Sequence, residues 1–190
     1  MSWVSDCGLV AAISNAGGFG VLACGSLSPS GLEAEIVATQ AATDRPFGVN
    51  LITMHPQLDA LIDRCLAHQV SHIVLAGGVP TASAIRRIKD GNGKVMCFAP
   101  TVGLARRLIR NGVDGLIIEG AEAGGHIGPV STNVLAQEIL PQLREAPVFV
   151  AGGIGRGEAI LSYLRMGAAG CQLGTRFVCA TESIAHPEFK

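Results

Sequence analysis

A parallel α/β barrel is the fold class this sequence predicts, and three observations predict it. Short runs that are apolar throughout recur along the 190 residues, amphipathic helical stretches separate them, and glycine-containing stops close the helices. A parallel strand buried on both faces reads as a continuous apolar run, whereas a half-exposed strand alternates. Helix–strand alternation through short connections therefore implies a parallel sheet covered by helices.

The elements follow in order. Leu9, Ala12, Ile13 and Ala16 share one helical face, Asn15-Ala16-Gly17-Gly18 stops that helix, and residues 19–23 form a strand. Strand-like runs lie at 47–51, 72–75, 95–98 and 148–150, with helical runs at 58–67, 82–88 and 134–143. Leu104, Ala105, Leu108 and Ile109 repeat the helical face, Asn111-Gly112 stops it, and 115–118 is the strand after it. Ile160, Tyr163 and Leu164 do so again, with Gly167 as the stop and 170–173 as the seventh strand. A closed (βα)8 barrel has eight strands, each followed by a helix, over about 250 residues. The expectation is a TIM (βα)8 barrel that lacks its first strand and last helix, one domain over 1–190 incomplete at both ends. An open doubly wound sheet is the alternative, and it requires a reversal of strand order.

Composition narrows the function. Hydrophobic residues make up 48% and charged residues 15%, which favours a large core and opposes disorder. The net charge of −1 carries no excess of Lys and Arg, so nucleic acid is excluded as a partner. Six cysteines show no C-x-x-C spacing, and Cys97 sits inside Val95-Met96-Cys97-Phe98, where a thiol acts as a small hydrophobe. Neither disulfides nor a metal site is expected. No apolar stretch has membrane-span length and no basic-then-apolar leader opens the chain, so the expected location is cytoplasmic.

Two glycine turns carry the strongest chemical signal. Ala151-Gly152-Gly153-Ile154-Gly155 and Leu173-Gly174-Thr175-Arg176-Phe177 each follow one of the last two strands. Barrels often bind phosphate there through loop amides, which glycine lets approach oxygen closely. Gly152, Gly153, Gly174 and Thr175 are thus candidate donors, although tight turns alone would also use such residues.

A second signal is the loop Glu119-Gly120-Ala121-Glu122-Ala123-Gly124-Gly125-His126-Ile127-Gly128, which leaves the rim where barrel active sites are built. His126 is an imidazole able to accept or donate a proton near neutral pH. Glu119 stands at the strand end, and Gly124 and Gly125 precede the imidazole. Asn50 ends an apolar strand, where its carboxamide suits either a cofactor contact or a turn cap. Arg106, Arg107 and Arg110 read as a solvated helical face, as do Glu33 and Glu35. His55, His68 and His72 read as surface or core residues. No Ser-His-Asp order, metal-ligand cluster or Walker-type loop occurs.

Taken together in this order, Asn15-Ala16-Gly17-Gly18-Phe19-Gly20, Gly48-Val49-Asn50, Glu122-Ala123-Gly124-Gly125-His126, Ala151-Gly152-Gly153-Ile154 and Leu173-Gly174-Thr175-Arg176-Phe177 resemble the nitronate monooxygenase family. They also look like the related flavin-dependent enoyl-acyl-carrier-protein reductases, in which Ile127 after the His is a shared feature. The resemblance implies non-covalent FMN, with its phosphate on Gly152, Gly153, Gly174 and Thr175, with Asn50 near the flavin ring, with Gly124 and Gly125 letting their loop approach the cofactor, and with Glu119 among the cofactor-binding residues. It further implies His126 as the catalytic residue, a small-molecule substrate (a nitronate or an enoyl thioester), O2 as co-substrate and a possible homodimer. The family's strand ending in Pro-Met would survive only as Met1. A phosphate-binding barrel without redox function is the reading from another class.

Overall fold

The computed structural model describes residues 1–125 and 127–190. Two compact units emerge, one of residues 1–95 with 178–190 and one of residues 96–177.

The first unit carries α1 (Cys7–Asn15), β1 (Val21–Ala23), α2 (Pro29–Ala42), β2 (Gly48–Ile52), α3 (Leu58–Ala67), β3 (His72–Ala76) and α4 (Ala82–Asp90). Side-chain caps start three of its helices: Asp6 accepts from the Leu9 N–H, Ser28 from Gly31 and Thr81 from Ala84. Its strands pair in parallel, with Val21 beside Gly48 and Gly48 beside His72. Leu32, Ile36, Val49, Leu51, Leu61, Ile62, Ile73, Leu75, Ile85 and Ile88 are all fully buried. Each such side chain contributes about 1.5–3 kcal/mol of transfer free energy, so this core is the main stabiliser of the unit.

The second unit carries the rest of β4 (Lys94–Phe98), then α5 (Val102–Arg110), β5 (Gly115–Glu119), α6 (Thr132–Ile139), β6 (Val148–Ala151), α7 (Gly157–Arg165), β7 (Gly170–Gln172) and most of α8 (Thr175–Val178). Thr101 caps α5 through the Leu104 N–H, and Arg106, Arg107 and Arg110 lie on its exposed side as expected. Leu116, Ile118 and Val150 are fully buried, as strands covered on both faces require.

Strand order follows chain order, β1-β2-β3 in the first unit and β4-β5-β6-β7 in the second, with no reversal. Neither unit shows the reversal of strand order that a doubly wound sheet requires, which favours the barrel class.

Four local expectations are corrected. On α1 the buried residues are Leu9, Val10, Ala11 and Ser14, while Ala16 is exposed. A polar residue marks the true face: the Ser14 hydroxyl donates to the Pro46 carbonyl at 3.3 Å and accepts from the Gly20 N–H at 3.2 Å. Helix α2 has no counterpart in the sequence reading, because its buried row Leu32, Ile36, Thr39 ends on a hydroxyl that bonds back to the Glu35 carbonyl at 2.7 Å. Glu33 and Glu35 are half-buried and partnered rather than simply solvated. Glu33 bonds His68 at 2.9 Å and Arg64 at 3.4 Å, and Glu35 accepts from the Cys7 N–H at 2.8 Å. Finally, the helix expected over 134–143 tightens into a 3-10 turn at Leu140–Gln142, where Pro141 has no N–H for an α-helical bond.

Cys97 is buried, as its apolar run implies, and so are Cys24 and Cys65, while Cys7 and Cys171 are half-buried and Cys179 is exposed. Burial pushes the Cys24 thiol up to about 11 and the Cys97 thiol up to about 12. Cys65 is likewise pushed up to about 12, by burial first and by its neighbour Cys24 second. All three are free thiols held neutral, as core residues should be.

Candidate functional site

Parallel register levels the rim of the second unit. Glu119 lies beside Ala151, and Ala151 beside Gln172, so β5, β6 and β7 end at one height. The loops that follow therefore leave from a single edge, the carboxyl ends of the strands where barrel sites are assembled.

The loop after β5 returns on itself. The Ala121 N–H donates to Val130 O at 2.9 Å and the Gly128 N–H to Gly120 O at 3.4 Å. Helix α6 begins just beyond, with Ser131 as its cap. Thr132, only 1% exposed, is the first residue of that helix. Its N–H is one of the donors a helix start leaves unpaired. Glu122 supplies the acceptor: Oε2 takes the Thr132 N–H at 2.7 Å and the Thr132 hydroxyl at 2.9 Å. The same hydroxyl also reaches Ala151 O at 3.3 Å. The bond from the Thr132 N–H, followed by that from its hydroxyl, holds the Glu122 carboxyl below the usual range.

The turn after β6 passes against this arrangement. Gly152 and Gly153 have φ of +99° and +70°, the left-handed region that strains any residue with a Cβ. A Cβ on Gly152 would stand 2.9 Å from Thr132 Oγ1 and 3.2 Å from the Ala123 nitrogen. One on Gly153 would stand 2.9 Å from Glu122 Cβ. Beyond β7, a Cβ on Gly124 would overlap the Thr175 hydroxyl oxygen. Glycine backbone thus packs against the side chains of Thr132, Glu122 and Thr175 and the backbone of Ala123, and three loops meet on one rim.

Of the sequence candidates, Glu119, Gly124, Gly152, Gly153, Gly174 and Thr175 come together on these loops. Gly125 has nothing within 4 Å of where its Cβ would stand, so the chain itself does not demand glycine there. Asn50 belongs to the first unit, half-buried on β2 between Ala23 and Val74, its carbonyl accepting from the Cys24 N–H at 3.1 Å. His126 lies outside the described residues. Glu122 and Thr132 were not singled out. Ser131-Thr132 ahead of an apolar run was a readable helix start, but nothing local pairs it with a carboxylate ten residues earlier. Tyr163 is a further neighbour: burial first, then the charges of Glu122 and Cys171, raise its phenol.

Comparisons with known proteins place the chain in a family. The family described as nitronate monooxygenase matches residues 1–61 and 57–190. The chain belongs to the nitronate monooxygenase family. Among similar proteins is an indene-carboxyl-CoA dehydrogenase, (3aS,4S,5R,7aS)-5-hydroxy-7a-methyl-1-oxo-octahydro-1H-indene-4-carboxyl-CoA dehydrogenase of Mycobacterium tuberculosis, 35% identical across 96% of this chain and 52% of that protein. The nitronate monooxygenase of Paraburkholderia phytofirmans is 30% identical across 96% of the chain and 63% of its own length. Among solved structures, FabK from Thermotoga maritima superposes with a TM-score of 0.94 at 38% identity, over 98% of this chain and 60% of that one. Nitroalkane oxidase from Streptomyces ansochromogenes gives 0.88 at 30% identity, over 96% and 65%. This family member therefore spans between about half and two thirds of the relatives it matches. Its relatives are named as oxidoreductases. No described helix is long and apolar enough to cross a membrane.

Proposed function

We propose that this chain forms the FMN-holding part of an oxidoreductase that oxidises alkyl nitronates with O2 to a carbonyl product and nitrite. The observation that carries the reading is the common rim: glycine turns after β6 and β7 leave level strands, and the β5 loop packs against both. The fit is steric and chemical. Glycine at 152 and 153 tolerates the positive φ and carries no Cβ beside its amide, as backbone that approaches a phosphate needs. FMN bound there would supply the electron transfer.

The chain's own residues then bind, orient and move a proton. Gly152, Gly153, Gly174 and Thr175 would hold the phosphate through backbone N–H groups and one hydroxyl. Gly124 and Gly125 would let the β5 loop lie close to the cofactor, and Glu119 and Asn50 would be its polar partners. The role of Asn50 rests on sequence resemblance alone. His126 would orient the nitro group and accept the α-proton of a neutral nitroalkane at an imidazole nitrogen. A cytoplasmic location and a homodimer accompany the reading.

A second reading, reduction of an enoyl thioester by NAD(P)H, is favoured by one observation. The FabK structure at 38% identity and the carboxyl-CoA dehydrogenase at 35% are both more similar in sequence than the named nitronate monooxygenase at 30%. Oxygen uptake on an alkyl nitronate, set against NADH loss on a short enoyl-CoA with the full-length protein, separates the two. Turnover of neither substrate rejects both. A full-length protein that takes up no flavin, judged by its visible spectrum, would favour the non-redox phosphate-binding reading. His126→Ala is expected to keep the yellow colour and to lose turnover of neutral nitroalkanes by about a hundredfold or more, a general-base contribution. Unchanged rates would remove His126 from the chemistry.

A further inference from the structure

Glu122 is an acid on the very loop that faces the glycine turn. Negative charge beside an anion site is unfavourable unless the charge is otherwise engaged. Here it is engaged: one oxygen, Oε2, takes both the N–H and the hydroxyl of Thr132. Thr132 in turn bonds Ala151 O, the residue immediately before Gly152. The side chain of Glu122 also sets the space left for the turn, since its Cβ stands 2.9 Å from where a Gly153 Cβ would be. Ala123, the next residue, brings its nitrogen to 3.2 Å from the corresponding position on Gly152. Carboxylate, helix start and glycine turn thus form one continuous chain of contacts, from β5 through α6 to β6.

We infer that Glu122 is a positioning residue for the phosphate cradle, clamping the β5 loop to Thr132 so that the Gly152–Gly153 turn presents its backbone in one conformation. The inference rests on the flavin reading for the identity of the ligand, though the clamp itself does not. Glu122 touches no phosphate oxygen in this scheme. It acts through Thr132 and the two loops, and its negative charge at the start of α6 also suits the helix dipole.

The consequence is selective. A phosphate cradle that loses its shape should weaken ligands carrying the phosphate and spare those without it. In the full-length protein, Glu122→Ala is expected to weaken FMN binding by about tenfold, as loss of charge-assisted bonds would. Riboflavin, which lacks the phosphate, should bind Glu122→Ala and the parent protein within about twofold of each other. Glu122→Gln keeps an acceptor oxygen for the Thr132 N–H and should recover most of the FMN affinity. Thr132→Val removes the hydroxyl while keeping the branched shape, and should fall between the two.

A readout without flavin separates this inference from the functional reading. Amide hydrogen exchange on the flavin-free protein should be faster in Glu122→Ala over residues 120–132 and 151–155 and unchanged over β2 and β3. Faster local exchange with no FMN binding by the parent protein supports the clamp and rejects the flavin. Equal weakening of FMN and riboflavin, or unchanged exchange in those two segments, overturns the inference. Should Glu122→Ala fail to fold, the comparison of Glu122→Gln with Thr132→Val decides by the same FMN-to-riboflavin ratio.

Discussion

Helices α3 and α7 occupy equivalent places in the alternation, one between β2 and β3 and the other between β6 and β7, yet they are packed differently. Leu61, Ile62 and Cys65 of α3 are completely buried. No residue of α7 is buried, and Leu164, on the face expected to point inward, is 42% exposed. Ile160 and Tyr163 of that face are half-buried. The strands differ too: β3 is buried at its three central positions, while β7 has no buried residue. The glycine turns of the candidate site belong to the loosely packed side. Strand β7 stands at the end of the strand order, and an element at a sheet edge has fewer neighbours to bury it.

Three substitutions would break or sharpen that contrast. The largest effect is expected from Leu61→Ala, which leaves a cavity in the buried core of the first unit and should cost about 2–5 kcal/mol in urea unfolding. Gly152→Ala comes next. A side chain at φ +99° is strained, and its Cβ would meet Thr132 Oγ1, so a loss of about 1–3 kcal/mol is expected. FMN affinity of the full-length protein should fall with it, which fluorescence titration would measure. Leu164→Ser should be the mildest, within about 0.5 kcal/mol, as for surface positions generally. If Leu164→Ser proves as costly as Leu61→Ala, the packing contrast is wrong. A harmless Gly152→Ala would instead show that the turn relaxes freely and that its glycine is dispensable.

Legibility from the chain divides along the same physical line. Most of the strands were readable because burial on both faces demands uninterrupted apolar residues, a purely local property, whereas β7, which has no buried residue, was marked by the glycine stop before it. Helices α4 and α5 were readable because apolar and charged residues separate by face. Helix α2 escaped because a hydroxyl ends its buried row, and the face of α1 was misplaced because buried Ser14 looks like a surface residue. Polar groups can occupy core positions when a partner is waiting, and here the partners are the carbonyls of Glu35 and Pro46.

The candidate site shows the same division. Gly152, Gly153, Gly174 and Thr175 declared themselves by type and by following strands. The bond between Glu122 and Thr132 did not, since its ends lie ten residues apart across a closed loop.

Apolar period and glycine placement were thus enough to establish a parallel α/β chain with glycine turns behind its last two strands. Folding alone decided that Glu119, Ala151 and Gln172 stand level, and that a carboxylate joins a helix start to a glycine turn. Strand register and loop closure arise from pairings between distant residues, and no local stretch of chain encodes which distant partner will be met.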